Sequence, residues 1–212
     1  MTDLPYFWAL GVYFEPKYSN ARMFLAKVFT VTVVIDDTYD AYGTYDELWS
    51  LACIDMIPKY MKPMYQALMG VYEEMEEILV KDGKEYQLSY AKESMKELIR
   101  NYMMEAKWAH EGYIPTTEEH LSVSYVSSGY IMLTTTFFVG MGDLVTQESF
   151  KWALSKPPLS LICSNVPMHV KMHVINLTQV LTIMYKGKDN YTEVGEELIC
   201  HIKSLLIHGM SI

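Results

Sequence analysis

The chain has 212 residues, half of them apolar and one-fifth charged, with a formal net charge of -9, 11 Gly and 8 Pro. This is one domain's worth of sequence with enough apolar residues for a core, which excludes disordered, collagen-like and proline-rich classes. Three scattered cysteines, Cys53, Cys163 and Cys200, cannot form a disulfide framework and fit a reducing compartment, and without a basic stripe the chain is not expected to bind nucleic acid.

The opening MTDLPYFWALG has no basic region ahead of an apolar stretch, so no targeting segment is expected there. Tyr6, Phe7, Trp8, Tyr13 and Phe14 form an aromatic cluster that reads as core. Its functional alternative is a ring face presented to a cation. From Tyr18 to Asp40 the apolar period predicts a helix capped by Ser19 or Asn20, with Met23, Leu25, Ala26, Phe29, Val33 and Val34 on its buried face, although the Val and Thr content of 28–34 also suits a strand. Pro58 opens a second helix that runs through Lys81, striped by Met61, Met64, Tyr65, Leu68, Val71, Tyr72 and Met75. The Glu73, Glu74, Glu76 and Glu77 run on it is expected to be a solvated face. After a Lys81-Asp82-Gly83 break, a third helix spans Tyr86 to His110, with Met95, Leu98, Ile99, Tyr102 and Met103 as its stripe. Gly112 and Pro115 stop it, and Thr116 or Thr117 with Glu119 caps the next.

Leu121 to Gly142 carries no charge and is long enough to cross a bilayer, but Ser122, Ser124, Ser127, Ser128 and Thr134 to Thr136 favour a buried, hydroxyl-lined helix over a membrane span. Within it, Ser127-Ser128-Gly129 marks a bend or a close backbone approach, since glycine costs about 1 kcal/mol against alanine in a helix interior, or else a helix packed tightly on a neighbour through small residues. Beyond Lys156-Pro157-Pro158 the pattern gives an amphipathic helix from Val170 to Met184, a polar loop Lys186 to Asn190, and a closing helix ending in Leu205, Leu206 and Ile207. No repeat, low-complexity tract or linker divides the chain.

The strongest local feature is Asp36-Asp37-Thr38-Tyr39-Asp40. On a helix Asp36 and Asp40 lie one turn apart on one face with Asp37 beside them, so their oxygens can converge on hard cations such as Mg²⁺. The alternative is a solvated helix end. Acids at a helix C-terminus oppose the macrodipole and like charges at i,i+4 repel, and divalent cations would reverse both penalties. His169 and His173 share a helical spacing, but their segment lacks the glutamate of a zinc-protease helix. No glycine-rich phosphate loop and no nucleophile-base pair can be read.

With its flanks, the aspartate-rich segment closely resembles plant class I terpene synthases of the sesquiterpene type. The matching stretch is YFWALGVYFEPKYSNARMFLAKVFTVTVVIDDTYDAYGTYDEL, followed in order by RNYMMEAKWAHEGYIPTTEEHLS, FKWALSKPP and VINLTQVLTIMYKGKDNYTEVGEELICHIKSLLIH. Prenyl-chain-elongating synthases share the DDxxD chemistry but not these flanks. The resemblance implies an all-α bundle around an apolar pocket, and a cytoplasmic, monomeric enzyme that ionises a prenyl diphosphate, farnesyl diphosphate for this type, with Mg²⁺ or alternatively Mn²⁺. It further implies Asp36 and Asp40 as metal ligands, Asp37 as their supporting acid and Glu105 as the acid facing them. Trp8 takes the place of the aromatic that faces the carbocation. Ser127, Ser128 and Gly129 correspond to the pocket-lining helix break, and Tyr185, Asp189 and Tyr191 to the loop that closes over substrate.

The chain also departs from that pattern. The family's second metal motif, an Asp/Asn, a Ser/Thr and a Glu at four-residue spacing, belongs after the SKPP segment, with an arginine ahead of it. In this chain Lys156 to Asn165 runs directly into Val166-Pro167-Met168. The expected architecture is therefore an incomplete class I terpenoid synthase bundle over 1–212, lacking the second metal-motif helix and the family's separate N-terminal domain. A non-catalytic homologue that binds Mg²⁺ or diphosphate weakly is the alternative function.

Overall fold

The period of 3.6 resolves into helices throughout the computed structural model, which describes residues 3–13, 15–50 and 58–155, and no strand occurs among the described residues. In chain order they are α1 (Asp3–Val12), α2 (Ser19–Asp37), α3 (Tyr45–Ser50), α4 (Lys62–Lys81), α5 (Glu85–Glu111), α6 (Thr117–Ser127), α7 (Tyr130–Val139) and α8 (Gln147–Leu154). Helix α2 packs on α1, α4 and α7, and α5 packs on α4, α6 and α7. The helices α2, α4, α5 and α7 thus close a ring around the core.

Several boundaries differ from the sequence reading. Helix α2 starts at Ser19 after a 3-10 turn, Pro16–Tyr18, and has no side-chain cap. Its buried residues are Ala21, Phe24, Leu25, Ala26, Val28, Phe29, Thr32 and Ile35, which include the expected Leu25, Ala26 and Phe29. Met23 and Val34, expected inside, are 45% and 47% exposed, so the face is rotated from the expected one. Helix α4 begins at Lys62 rather than Pro58, which places Pro63 in the first turn, where its missing N–H leaves no bond unmade. Helix α5 matches the expected span to within one residue at each end.

The uncharged run is two short helices, α6 and α7, joined at Ser128-Gly129. All ten residues of α7 are buried, including Thr134, Thr135 and Thr136. An unpaired buried hydroxyl costs about 1–3 kcal/mol. Thr135 avoids that cost by donating to the Ile131 carbonyl at 3.0 Å and pairing with Ser94 Oγ on α5 at 2.5 Å. No helix among the described residues is long and apolar enough to cross a membrane.

The N-terminal aromatics do not form one core cluster. Tyr13 is buried, donates its hydroxyl to the Phe137 carbonyl and packs on the Phe137 ring at 5.0 Å, which ties the end of α1 to α7. Tyr6 and Phe7 are exposed, and Phe14 lies outside the described residues.

Candidate metal centre

The aspartate-rich segment begins on α2 but does not stay on it. The α-helix ends at Asp37, and Thr38–Tyr42 forms a π-helical turn closed by a hydrogen bond from Gly43 N to Thr38 O at 2.7 Å. Thr38 also donates its hydroxyl back to the Val34 carbonyl at 2.6 Å. Such back-bonding bends helices, and single π turns recur at functional sites. Asp36 and Asp37 thus close the α-helix, and Asp40 sits inside the π turn that follows it.

Gly43 is required for space. A Cβ there would meet Leu48 Cδ2 at 2.5 Å and the Thr38 carbonyl oxygen at 3.0 Å. The chain then enters α3 with Glu47 Oε2 accepting from Thr44 N at 3.0 Å and Thr44 Oγ1 at 2.9 Å. The AYGT segment thus acts as a stop and restart immediately after the acids.

Helix α5 supplies the opposite side. Glu105 is half-buried and accepts a hydrogen bond from Ser127 Oγ at 2.8 Å, across to the end of α6. The break after Ser127 holds that hydroxyl in place. Gly129 has φ 75°, and a Cβ there would meet nothing within 4 Å, so the glycine serves a left-handed bend rather than a close approach. Ser128 is buried and donates to the Tyr125 carbonyl at 2.9 Å. At the start of α6, Thr116 and Glu119 form the expected capping box.

The two sides meet through aromatic rings and charge. Tyr39 of the π turn and Tyr102 of α5 lie 5.6 Å apart, and both are buried. Burial, followed by the charges of Asp36 and Asp37, raises the Asp40 carboxyl above its ordinary pKa. Glu105 is also raised, chiefly by burial and then by Asp40 and Asp36. The Ser127 hydrogen bond and His120 pull it the other way. Burial holds the Tyr39 phenol up at about 12.

Sequence reasoning missed Tyr102, placing it only in the core stripe of α5. Its hydroxyl is buried and closes no hydrogen bond of ordinary geometry. Asp36 nevertheless acts on it strongly, since burial comes first and the Asp36 carboxylate second in raising the phenol's pKa well above the usual tyrosine value, with Asp40 and Glu105 adding to it. The only sequence signal was its place one turn before Glu105.

Among the described residues, no lysine or arginine forms an ion pair with Asp36, Asp37, Asp40 or Glu105. Nor do three or more His, Cys, Asp or Glu side chains converge as a complete metal cage. The donors are hard carboxylate oxygens, those of Asp40 and Glu105 raised in pKa by desolvation and by their acidic neighbours, which is donor chemistry suited to a hard divalent ion. The residues fit one side of such a site. Trp8 lies within α1, but its side chain is outside the described residues, as are Tyr185, Asp189, Tyr191, the His169/His173 pair and the Lys156 to Met168 junction.

Residues 4–167 match the model of the terpene synthase family, metal binding domain. The chain belongs to the terpene synthase family. It is 43% identical to sesquiterpene synthase TPS1 of Xanthium strumarium over 278 residues, a match covering 98% of this chain and 51% of that protein. It is 40% identical to alpha-isocomene synthase of Matricaria chamomilla var. recutita, covering 95% of this chain and 50% of that protein. The chain thus spans about half the length of the curated relatives it matches. Its fold is that of isoprene synthase from grey poplar, solved with three Mg²⁺ ions and dimethylallyl-S-thiolodiphosphate, at a TM-score of 0.68 and 22% identity over 94% of this chain and 47% of that one. The all-α class I terpene synthase bundle expected from the sequence is the fold observed.

Proposed function

We propose that this terpene synthase domain binds a prenyl diphosphate, farnesyl diphosphate in particular, with Mg²⁺, or Mn²⁺ in its place, and ionises it to diphosphate and an allylic cation that cyclises and is quenched by loss of a proton or by water to give a sesquiterpene. Asp36, Asp40 and Glu105 would hold the metal, with Asp37 in support. When bound, the metal supplies the positive charge that receives the diphosphate leaving group. The remaining work falls to the chain's own residues. Ser127 orients Glu105 through its 2.8 Å hydrogen bond. Ser128 and Gly129 shape the bend beside it, and the buried apolar face of α7 excludes water. Trp8 would face the cation with its ring. Tyr185, Asp189 and Tyr191 would close over the substrate. We further propose a cytosolic monomer.

The observation that carries this reading is the carboxylate set on α2, the π turn and α5, in which Asp40 and Glu105 are raised first by desolvation and then by neighbouring carboxylates and no lysine or arginine among the described residues pairs with them. A net acidic chain needs a few local cations or metal ions to receive a diphosphate.

A second reading has its own support. The match to the Xanthium relative runs over 278 residues yet takes in 98% of a 212-residue chain, so that relative carries residues within the matched stretch that this chain lacks. On this reading the chain retains weak Mg²⁺ or diphosphate binding without turnover. Incubation of purified protein with farnesyl diphosphate and Mg²⁺, followed by gas chromatography and mass spectrometry of extracted volatiles, separates the two. The enzymatic reading expects a sesquiterpene that disappears in Asp36→Ala. No product from folded protein leaves the binding-only reading.

A further inference from the structure

Ring contacts bracket the acids on both sides of the centre. Asp40 lies in the π turn, one residue after Tyr39 and five before Tyr45, and Glu105 lies on α5, three residues after Tyr102 and five before His110. Tyr39 packs on Tyr102 in the core, and Tyr45, the first residue of α3, stacks on His110 with ring centroids 4.2 Å apart and planes 3° from parallel. The second contact lies at the surface, with Tyr45 half-buried and His110 exposed in the last turn of α5. Helix α3 in turn bears on the π turn. Its buried Leu48 lies against Gly43, whose N–H closes that turn on the Thr38 carbonyl, so a shift of α3 is passed to the segment that carries Asp40. Asp36, Asp37 and Asp40 stand on one side and Glu105 on the other, and like charges push the two sides apart in the metal-free protein. A contact outside the acids is needed to hold the span between them.

We propose that Tyr45 and His110 are positioning residues for the metal centre: their stack clamps α3 and the π turn against the end of α5 and sets the span between the Asp40 side and the Glu105 side. Stacked rings attract beyond the area they bury, and a parallel pair fixes orientation as well as distance. Holding the acids at a set span before the cation arrives removes the ordering cost from binding. Without the stack the acids spread, and the cation must draw the two sides together at the expense of affinity. The proposal rests on the reading of these acids as metal ligands.

Mn²⁺ titration of the full chain, followed by the loss of the free-ion electron paramagnetic resonance signal, tests it without any need for turnover. His110→Ala should weaken Mn²⁺ binding by roughly two- to tenfold, the range that one aromatic pair spans, and Tyr45→Ala should do the same. The double variant should lose no more than either single one, because each removes the same stack. His110→Phe keeps a ring on Tyr45 and should restore the wild-type affinity. Tyr90→Ala is the control: it removes another stack, Tyr90 on Phe150 at 4.7 Å and 12°, about four turns back along α5 from Glu105. It should lower the melting temperature in EDTA and leave Mn²⁺ affinity at the wild-type value. Equal Mn²⁺ affinity in wild type and His110→Ala overturns the assignment of the stack alone. Failure of His110→Phe to restore affinity also overturns it, by showing that the imidazole and not the stacked ring matters. So does an unfolded His110→Ala chain, or a Tyr90→Ala chain that loses as much affinity as His110→Ala, since either reduces the contact to general support of the fold. A wild-type chain that takes up no Mn²⁺ overturns the metal reading and this assignment with it.

Discussion

Two acidic regions of this chain look alike as strings of letters and behave differently in three dimensions. Glu73, Glu74, Glu76 and Glu77 are exposed on α4, and two of them are paired across helices, Glu74 with Lys27 at 2.5 Å and Glu76 with Lys92 at 2.7 Å. Asp36 and Asp40 lie where α2 ends and Glu105 on α5; Asp36 and Glu105 are half-buried and Asp40 is exposed at the rim, with Asp40 and Glu105 raised by desolvation and by neighbouring carboxylates. The first region is a solvated surface with two of its four charges paired. The second has no lysine or arginine paired with it among the described residues, and that difference is why we propose it as the cation site.

The largest effect that would sharpen the contrast comes from the backbone. Gly43→Ala drives a Cβ into Leu48 and the Thr38 carbonyl. It should lower stability by about 1–3 kcal/mol and disturb the π turn carrying Asp40. Chemical denaturation with and without Mg²⁺ checks both parts. The variant should lose Mg²⁺ stabilisation, while the α4 glutamates, remote from Gly43, keep their ion pairs.

Next in size is an inversion of sign. Glu105 is held in a place that disfavours its charge, so Glu105→Gln should stabilise the metal-free protein by on the order of 0.5–1 kcal/mol while weakening Mg²⁺ binding. Thermal melts in EDTA and in Mg²⁺ give both values. Glu105→Gln with a lowered metal-free melting temperature would break the comparison.

The pH dependence follows from the same shifts. Asp40 and Glu105 have folded pKa values above their unfolded ones, so in the window between the two the native state binds more protons. Their contribution to stability is present below the ordinary carboxylate range and is lost as pH rises through the folded values. Mg²⁺ competes with those protons. Its stabilising effect should therefore grow as pH rises from mildly acidic to neutral, as melting curves at fixed Mg²⁺ would show. A flat response would contradict a carboxylate site.

Smallest of all is the control surface. Glu74→Gln with Glu76→Gln removes two exposed ion pairs and should change stability by roughly 0–1 kcal/mol, with no change in the response to Mg²⁺. A large loss of Mg²⁺ stabilisation in that double variant would place the cation on the wrong acids.

Much of this contrast was legible in the sequence, though unevenly. The stripe of α4, the span of α5 and the Thr116/Glu119 capping box follow from spacing and cap chemistry, which are local. Ser127-Ser128-Gly129 could be recognised as a break, but only the left-handed φ of Gly129 and the open space beside it decide for a bend. The π turn was hidden, because shifting one hydrogen-bond register changes no residue's polarity. Helix α2 appeared rotated because Met23 and Val34 are apolar yet exposed, and apolar residues on a surface leave no mark in a hydrophobic pattern. Tyr102 was read as core for a related reason. Its ring is core, and the significance of its hydroxyl depends on carboxylates from α2 and the π turn more than sixty positions earlier in the chain.

The most direct test of the account is calorimetric titration of the wild-type chain with Mg²⁺ at neutral pH, alongside Asp36→Ala and the Glu74→Gln, Glu76→Gln pair. The account predicts saturable Mg²⁺ uptake that survives in the glutamate variant and disappears in Asp36→Ala. Wild-type protein that takes up no Mg²⁺, or uptake that persists undiminished in Asp36→Ala, would contradict it.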